Sequence, residues 1–519
     1  MHPRTSNIIP DFACELKPQG YFQDDIVRFK DLSNNEEYSI IFDSNGEFER
    51  LNTEVFDLVL ENRTFLSQHT DFLDNTIKRP KNGGIVHFCN VLEVNITGKG
   101  GGINPGIKGI SSYLFRQGPM LSSKDGLIIS KEAVLKAREN LRYLNEKGID
   151  VIKEENVFGI EIDENSTIIR DKGIEELQGI MEERHETYKF LPFIHTEKMA
   201  KTAEKIGFDY TADITATSLL TDKFYVLKTL PNFSVKTIFG KELNSVNDLE
   251  LARMNPVISA QEFVVLKLRD GASGLGVRFV KNNYSEVLKN LVELGEPDER
   301  GVLKYTVKIE ECLKTLSSPS AGLYISENEI VFLGFSDQFF EQAEDSSKPP
   351  KEHMGNIGPS SYENLIKTTS VKVGEFARKL NYTGFLGVDY VLIENHDKSV
   401  ELRVAENNPR LGGPSTAYRI AYDHPLAISK NQSFTGLGFS GGNLDISIDH
   451  QKKSIYHLDK DLNKILTSVS SDIFAVITNM LPIEYGRIQI AVFGKNPENI
   501  RKAYRKAQNY FCPNHKSNI

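Results

Sequence analysis

The 519-residue chain has few cysteines, no long apolar run and no excess of positive charge. Each absence removes a class of protein. The four cysteines, Cys14, Cys89, Cys312 and Cys512, are widely scattered and form no CxxC pair. That argues against a disulfide framework and a structural zinc site, and for a reducing compartment. No apolar run approaches the roughly 20 residues needed to span a bilayer. The opening MHPRTSNIIPDFACELKPQG lacks the apolar core of a secretory signal, so a cytosolic location with no membrane partner is expected. A net charge of −9 argues against broad nucleic-acid binding but leaves room for a local basic pocket. With 39% hydrophobic and 26% charged residues the chain is globular in composition, and its length is enough for roughly two to four structural units.

What is present centres on the stretch from Gly384 to Gly413. The runs VDYVLI and VELRVA alternate around the polar turn segment ENHDKS, the pattern of a β-hairpin. A turn centred between Asp397 and Lys398 sets Asp389 directly opposite Glu406, with Cβ atoms about 5 Å apart. By strand alternation Glu406, Asn408 and Arg410 share a face. Two carboxylates, an amide oxygen and a guanidinium on one surface suit Mg2+ shared with a phosphate chain. The alternative at this point is a solvated hairpin face with charges balanced by Arg403 and Arg410.

A second stretch, EFVVLKLRDGASGLGVRFVKN, reads as a strand, a glycine-rich loop and a returning strand, with Lys267 inside the first strand. Main-chain N–H groups of such a loop can close over phosphate oxygens, Ser273 adds a hydroxyl and Lys267 a point charge. A long hairpin turn with an incidental lysine is the plain alternative. KYTVKIEECL predicts a strand ending in Glu310 and Glu311, either beside an adenine edge or simply exposed. Lys223 and Lys228 fall on a predicted helix. Upstream, LPFIHT reads as a strand and EKMAKTAEKIGF as a helix capped by Thr196 and stopped at Gly207, opening an α/β unit near Phe190. SSPSAGLYISENEIVFLGFSDQFF predicts a hairpin, and EQAEDSSKPPKEHMGNIGPSS a polar loop. RIQIAVFGKNPENIRKAYRKAQNYF predicts a strand and a helix beginning at Asn496-Pro497.

Three glycine-rich passages carry less. Gly98 to Gly109 lacks the spacing of a P-loop and reads as a surface loop or a substrate contact. Gly436, Gly438 and Gly441 satisfy GxGxxG, and Gly438 to Gly442 satisfies GxSxG around Ser440. Each motif needs a following helix, whereas NLDISID alternates like a strand.

Together, VVLKLRDGASGLGV, the EECL strand end and GVDYVL…VAENNPR resemble the ATP-grasp superfamily. IHTEKMAKTAEKIGF, KLRDGASGLG and SPSAGLYISENEIVFLGFSDQFF are similar to pheganomycin-type peptide ligases and butirosin-type carboxylate–amine ligases, over about His195 to Ile420. The resemblance implies an α/β (α+β) ATP-grasp fold. Residues 1–189 would be an N-terminal region with a pre-ATP-grasp part, 190–430 the ATP-grasp domain and 431–519 a small C-terminal strand–helix piece. Within the domain, a glycine-loop subdomain would span about 215–305 and a metal-site subdomain about 306–430.

It also implies ATP with Mg2+, or Mn2+ in its place. Lys223 and Lys267 would contact the phosphates, under a lid of Gly271, Ser273, Gly274 and Gly276. Glu310, Glu311 and Leu313 would line the adenine–ribose side, and Asp389, Glu406 and Asn408 would hold the metal. Arg410 would steady the transferring phosphoryl group or acyl phosphate. The implied activity is ATP-dependent carboxylate–amine ligation, forming an amide or peptide bond with release of ADP and phosphate. Its partners would be a small-molecule carboxylate and an amine, amino acid or peptide, with a homo-oligomer compatible. The run Asn408 to Ser415 departs from the Gly-Gly-Thr-type continuation of those ligases, which bears on the acceptor. A thiol or carboxylase-type acceptor, a nucleotide-binding module without turnover, and a hydrolase acting through Ser440 are the other readings.

Overall fold

Short branched-apolar runs divided by glycine and polar turns dictate a strand-rich chain. The computed structural model describes residues 26–31, 36–42, 48–51, 84–90, 115–163, 168–269, 276–341, 352–358, 362–395, 397–412, 415–423, 438–494 and 496–512. The first strands, β1 (Ile26–Asp31), β2 (Glu36–Phe42) and β3 (Phe48–Leu51), pair antiparallel in that order.

β4 (Ile85–Phe88), β5 (Gly126–Ser130), β6 (Val157–Ile160) and β9 (Lys189–Pro192) form a parallel sheet in the order β6-β5-β4-β9. The short pair β7 (Ile162–Asp163) and β8 (Ile168–Ile169) lies outside it. Parallel strands covered on both faces read as continuous apolar runs, and every residue of β4 and β5 is buried. Helix Glu197–Ile206 follows β9; Thr196 accepts a hydrogen bond from the Met199 amide, and Gly207 ends the helix at φ +85. Thr196 and Gly207 thus act as the expected cap and stop.

The second sheet is antiparallel: β10 (Gly240–Ser245), β11 (Phe263–Leu268), β12 (Val277–Lys281) and β13 (Val302–Glu311), ordered β10-β13-β11-β12. Helices Asp248–Arg253 and Tyr284–Gly295 bury Leu249, Val287 and Leu291 against its Leu266, Val307 and Ile309.

The largest sheet comprises β14 (Pro319–Ile325), β15 (Ile330–Glu341), β16 (Glu352–Gly358), β17 (Gly384–Glu394), β18 (Val400–Asn408), β19 (Gly438–Asp445), β20 (Phe474–Asn479) and β21 (Arg487–Gly494). Its path is β18-β17-β14-β15-β16-β19-β21-β20, with β1 alongside β15 in parallel. Helix Glu363–Lys379 covers it through Ile366, Val373 and Phe376. Helix Pro497–Phe511 begins as expected, with Asn496 accepting from the Glu498 amide. Helix Val134–Glu146 ties the parallel sheet to the C-terminal strands. Its Asn140 accepts from the Met480 amide at 2.8 Å, and its Tyr143 hydroxyl donates to Asp459 at 2.6 Å.

One expected loop is a strand. EHMGNIG forms β16, pairing antiparallel with β15 and β19. Glycine in place of branched residues hides it. At Gly355, φ is +153 and a Cβ would lie 2.4 Å from the Gly441 carbonyl oxygen, an approach that only glycine permits. The Gly98–Gly109 loop lies outside the described residues.

His87, in the centre of the parallel sheet, is fully buried, and burial lowers its pKa to about 4 against a weaker opposing pull from the Leu191 backbone. The unfolded chain takes up that proton below about 6.5. The unfolded state therefore binds more protons across this window, and stability falls as pH drops from about 6.5 toward 4, by about 1.4 kcal/mol per pH unit. Urea midpoints at about pH 7 and about pH 5 test this. The expected result is a lower midpoint at the acid pH and a shallower dependence in His87→Asn; an unchanged dependence in that variant contradicts it.

Candidate functional site

Two strands with apolar alternation place the hairpin's polar residues on one face. Asp389 pairs with Glu406, the predicted partner, by a different route. Between turn and bulge, Ile393 pairs with Glu401 and Val391 with Arg403, so the turn centres on Asp397. A register shift between Asp389/Glu406 and Tyr390/Val404 leaves Ala405 as an extra residue and brings the acids opposite each other.

Asp389 is held by three donors. Ser320 Oγ (2.8 Å) and Gln338 Nε2 (2.9 Å) donate to Oδ1, and Asn408 Nδ2 (2.9 Å) donates to Oδ2. Donating its amide to Asp389 leaves Asn408 Oδ1 buried with no hydrogen-bond partner. Burial pushes the Asp389 carboxyl above the usual carboxylate range, and the Glu406 charge pushes it the same way. These groups match the donor set of a hard cation: two carboxylates under mutual repulsion and an unsatisfied amide oxygen. Among the described residues no group of three or more His, Cys, Asp or Glu is arranged for a metal, so such an ion would rely on the amide and on ligand oxygens as well.

The solvated-face alternative fails on Arg403. Its Nη1 donates to Glu311 (2.7 Å) and its Nε to Glu401 (2.5 Å), so it balances neither Asp389 nor Glu406. Arg410 lies over the Phe193 ring at 5.7 Å, within electrostatic reach of Glu406 and Asp389. Burial pulls its guanidinium below the usual range against the pull of those acids.

The cations face the acids from two other elements. Lys223, buried at the start of helix Lys223–Thr229, lies 3.5 Å from Glu406 Oε1. Asp222 caps that helix through the Phe224 and Tyr225 amides and pairs with Arg269 at the base of the glycine loop. Lys267 on β11 lies 2.7 Å from Glu310 Oε2. Burial would depress its ammonium, but Glu310, with Glu406 and Asp389 behind it, holds it above the usual range. Glu310 and Glu311 are both buried rather than exposed. Burial works against ionisation of Glu310, yet Lys267 and Lys308 keep its carboxyl below the usual range. Glu311 accepts from the Phe239 amide (2.7 Å) and from Arg403, joining the β13 end to β18. Leu313 is half-buried just beyond β13.

β11 and β12 pair antiparallel with Lys267 opposite Val277, so the chain returns as a strand after the glycine loop. Gly276 closes that base at φ +78, where a Cβ would meet the Leu268 side chain at 2.6 Å. Gly271, Ser273 and Gly274 lie outside the described residues. Lys223, Lys267, Glu310, Asp389, Glu406, Asn408 and Arg410 thus form one charged cluster between the second and third sheets. Lys228, on the same short helix as Lys223, is exposed. Sequence reasoning missed Ser320, Gln338 and Lys308. The first two meet Asp389 only through the neighbouring strands of the sheet, which local pattern does not specify; for Lys308 the signal available is its position two residues before Glu310 on one strand, which puts both on one face.

Residues 220–414 match the family described as ATP-grasp domain. No curated protein sequence matches the chain. Among solved structures, the ADP complex of purK, an N5-carboxyaminoimidazole ribonucleotide synthetase, is similar with a TM-score of 0.50 at 11% identity, covering 84% of this chain and 98% of that one. N5-carboxyaminoimidazole synthetase from Staphylococcus aureus follows at 0.49 and 12%, covering 82% and 97%. The biotin carboxylase domain of Hydrogenobacter thermophilus 2-oxoglutarate carboxylase, with MgADP and bicarbonate, gives 0.49 and 12%, covering 82% and 89%. The chain therefore has the ATP-grasp fold, with its ATP-grasp domain over residues 220–414.

Proposed function

We propose that the protein is an ATP-dependent carboxylate–amine ligase. The observation that carries the nucleotide part of this reading is the opposed pair Asp389 and Glu406, with the orphaned Asn408 oxygen beside them, Lys223 3.5 Å from Glu406 and Lys267 within electrostatic reach of both acids. Acids that repel and lysines at arm's length suit a phosphate chain with its divalent cation between them. The fold's solved ADP complex supports a nucleotide there.

In this reading Asp389, Glu406 and Asn408 hold Mg2+ or Mn2+, and Lys223 and Lys267 hold the phosphates. Gly271, Ser273, Gly274 and Gly276 are further phosphate contacts in this reading, and Glu310, Glu311 and Leu313 mark the purine–ribose side. When bound, the cation supplies charge neutralisation at the phosphates. Arg410 orients the group that receives the phosphoryl and offsets the charge that develops on it. Activation of the carboxylate for attack by an amine rests on the likeness to pheganomycin- and butirosin-type ligases. Small carboxylate and amine substrates, and a cytosolic location, belong to the same reading. Among the described residues no helix is long and apolar enough to cross a membrane.

The test is ADP release across pools of carboxylates and amines. The reading expects release that needs one member of each pool; release that needs bicarbonate or a thiol instead replaces it with another acceptor chemistry.

A further inference from the structure

Glu310 serves two ammonium groups, one on each oxygen. Lys267 Nζ lies 2.7 Å from Oε2 and Lys308 Nζ 3.0 Å from Oε1. Lys267 and Lys308 are directly opposed on β11 and β13, and Glu310 lies two residues from Lys308 on the same face. Like charges in that position repel unless a carboxylate stands between them. Lys308 is 5% exposed, with its ammonium against the Glu310 carboxylate. The fold makes room for it. A Cβ on Gly240 would come within 2.5 Å of Lys308 Cε, and the Phe224 ring lies 5.9 Å from its Nζ.

A lysine that grips a phosphate must first leave its resting carboxylate. A buried carboxylate stripped of its only partner is strongly destabilising. We propose that Lys308 is the standing counter-ion of Glu310, a positioning residue that lets Lys267 move from Glu310 Oε2 to a phosphate of a nucleoside di- or triphosphate. The proposal rests on the nucleotide reading of the site. With Lys308 in place, Glu310 stays paired throughout the exchange. Burial holds the Lys308 ammonium below its usual range, and Lys267 and Lys223 add to that against Glu310, so the departure of Lys267 toward a phosphate also relieves a repulsion.

Calorimetric titration of the full chain with MgADP tests this in wild type, Lys308→Met, Glu310→Gln and the double variant. Lys308→Met is expected to weaken MgADP binding by on the order of 10- to 100-fold. In the Glu310→Gln background the same change is expected to cost less than about threefold, because no carboxylate remains to be stranded. The melting temperature of ligand-free Lys308→Met is expected to match or exceed wild type, since the Lys267–Glu310 pair remains and a buried ammonium is gone. Equal losses in both backgrounds would mean that Lys308 grips the nucleotide itself, and a large fall in the ligand-free melting temperature that its role is structural; either overturns the proposal. Should Lys308→Met not fold, Lys308→Gln carries the same comparison. Wild type without affinity for MgADP overturns the nucleotide reading and this inference together. Intact wild-type affinity with no effect of Lys308→Met overturns the inference alone.

Discussion

Replacing Glu406 by glutamine is expected to lower ADP release by about 10²- to 10³-fold while leaving the fold intact, in line with the loss of one charge-stabilising group from a preorganised site. Glu406 is partly exposed, and its ion pair with Lys223 at 3.5 Å is loose, so little of the folded state depends on it. Its charge also pushes the buried Asp389 carboxyl upward. Removing that charge lets Asp389 return toward the ordinary carboxylate range, so the ligand-free variant is expected to melt no lower than wild type. Chemistry is where the loss falls. Glutamine keeps an oxygen but removes the negative charge that a divalent cation needs beside Asp389 and the Asn408 amide. A coupled ADP assay alongside thermal melts measures both effects; wild-type turnover in Glu406→Gln would remove the metal assignment.

The second large effect is expected at Lys267. Lys267→Met removes a point charge from the phosphate grip and is expected to reduce kcat/KM for ATP by about 10²- to 10³-fold. Part of the loss will fall on kcat, because charge on the transferring group develops beyond the ground state. Truncating one partner of a buried ion pair ordinarily costs about 3–5 kcal/mol of stability. Here Lys308 stays 3.0 Å from Glu310, so that carboxylate keeps a partner and the loss in melting temperature is expected to be small. Steady-state kinetics and melts of the same preparation separate the two. Unchanged kinetics would place the phosphates elsewhere.

How much of this was legible in the sequence depended on whether the signal was local. Thr196 and Gly207 cap and stop a helix through contacts within a few residues, so they could be read directly. So could the two strands on either side of the glycine-rich run after Lys267, whose branched and aromatic residues mark each by itself. A turn between Asp397 and Lys398 pairs Asp389 with Glu406 in an unbroken ladder; the turn lies half a residue earlier, on Asp397, and the extra residue Ala405 restores the same pair. Strand alternation cannot show a bulge, because an extra residue leaves composition unchanged. β16 was hidden for the opposite reason: its glycines permit close backbone approach to β19 while erasing the branched residues that mark a strand. Ser320 and Gln338 reach Asp389 through β14 and β15, and strand order in a sheet is not written in any one strand. Glu310 and Glu311 posed a further difficulty. Two adjacent acids at a strand end look solvated, whereas Lys267 and Lys308 on Glu310 and Arg403 on Glu311 let both be buried.

In the proposed reaction a carboxylate is activated by phosphoryl transfer at the Asp389/Glu406 face and then captured by an amine. The most direct measurement supplies the productive carboxylate labelled with oxygen-18, together with ATP, Mg2+ and the amine, and reads both products by mass. When the amine displaces phosphate from the activated carboxyl carbon, one carboxylate oxygen leaves on the phosphate. The expected products are an adduct equal to carboxylate plus amine minus water and phosphate carrying one labelled oxygen per molecule. Phosphate without label, or ADP release with no such adduct, would contradict that reaction.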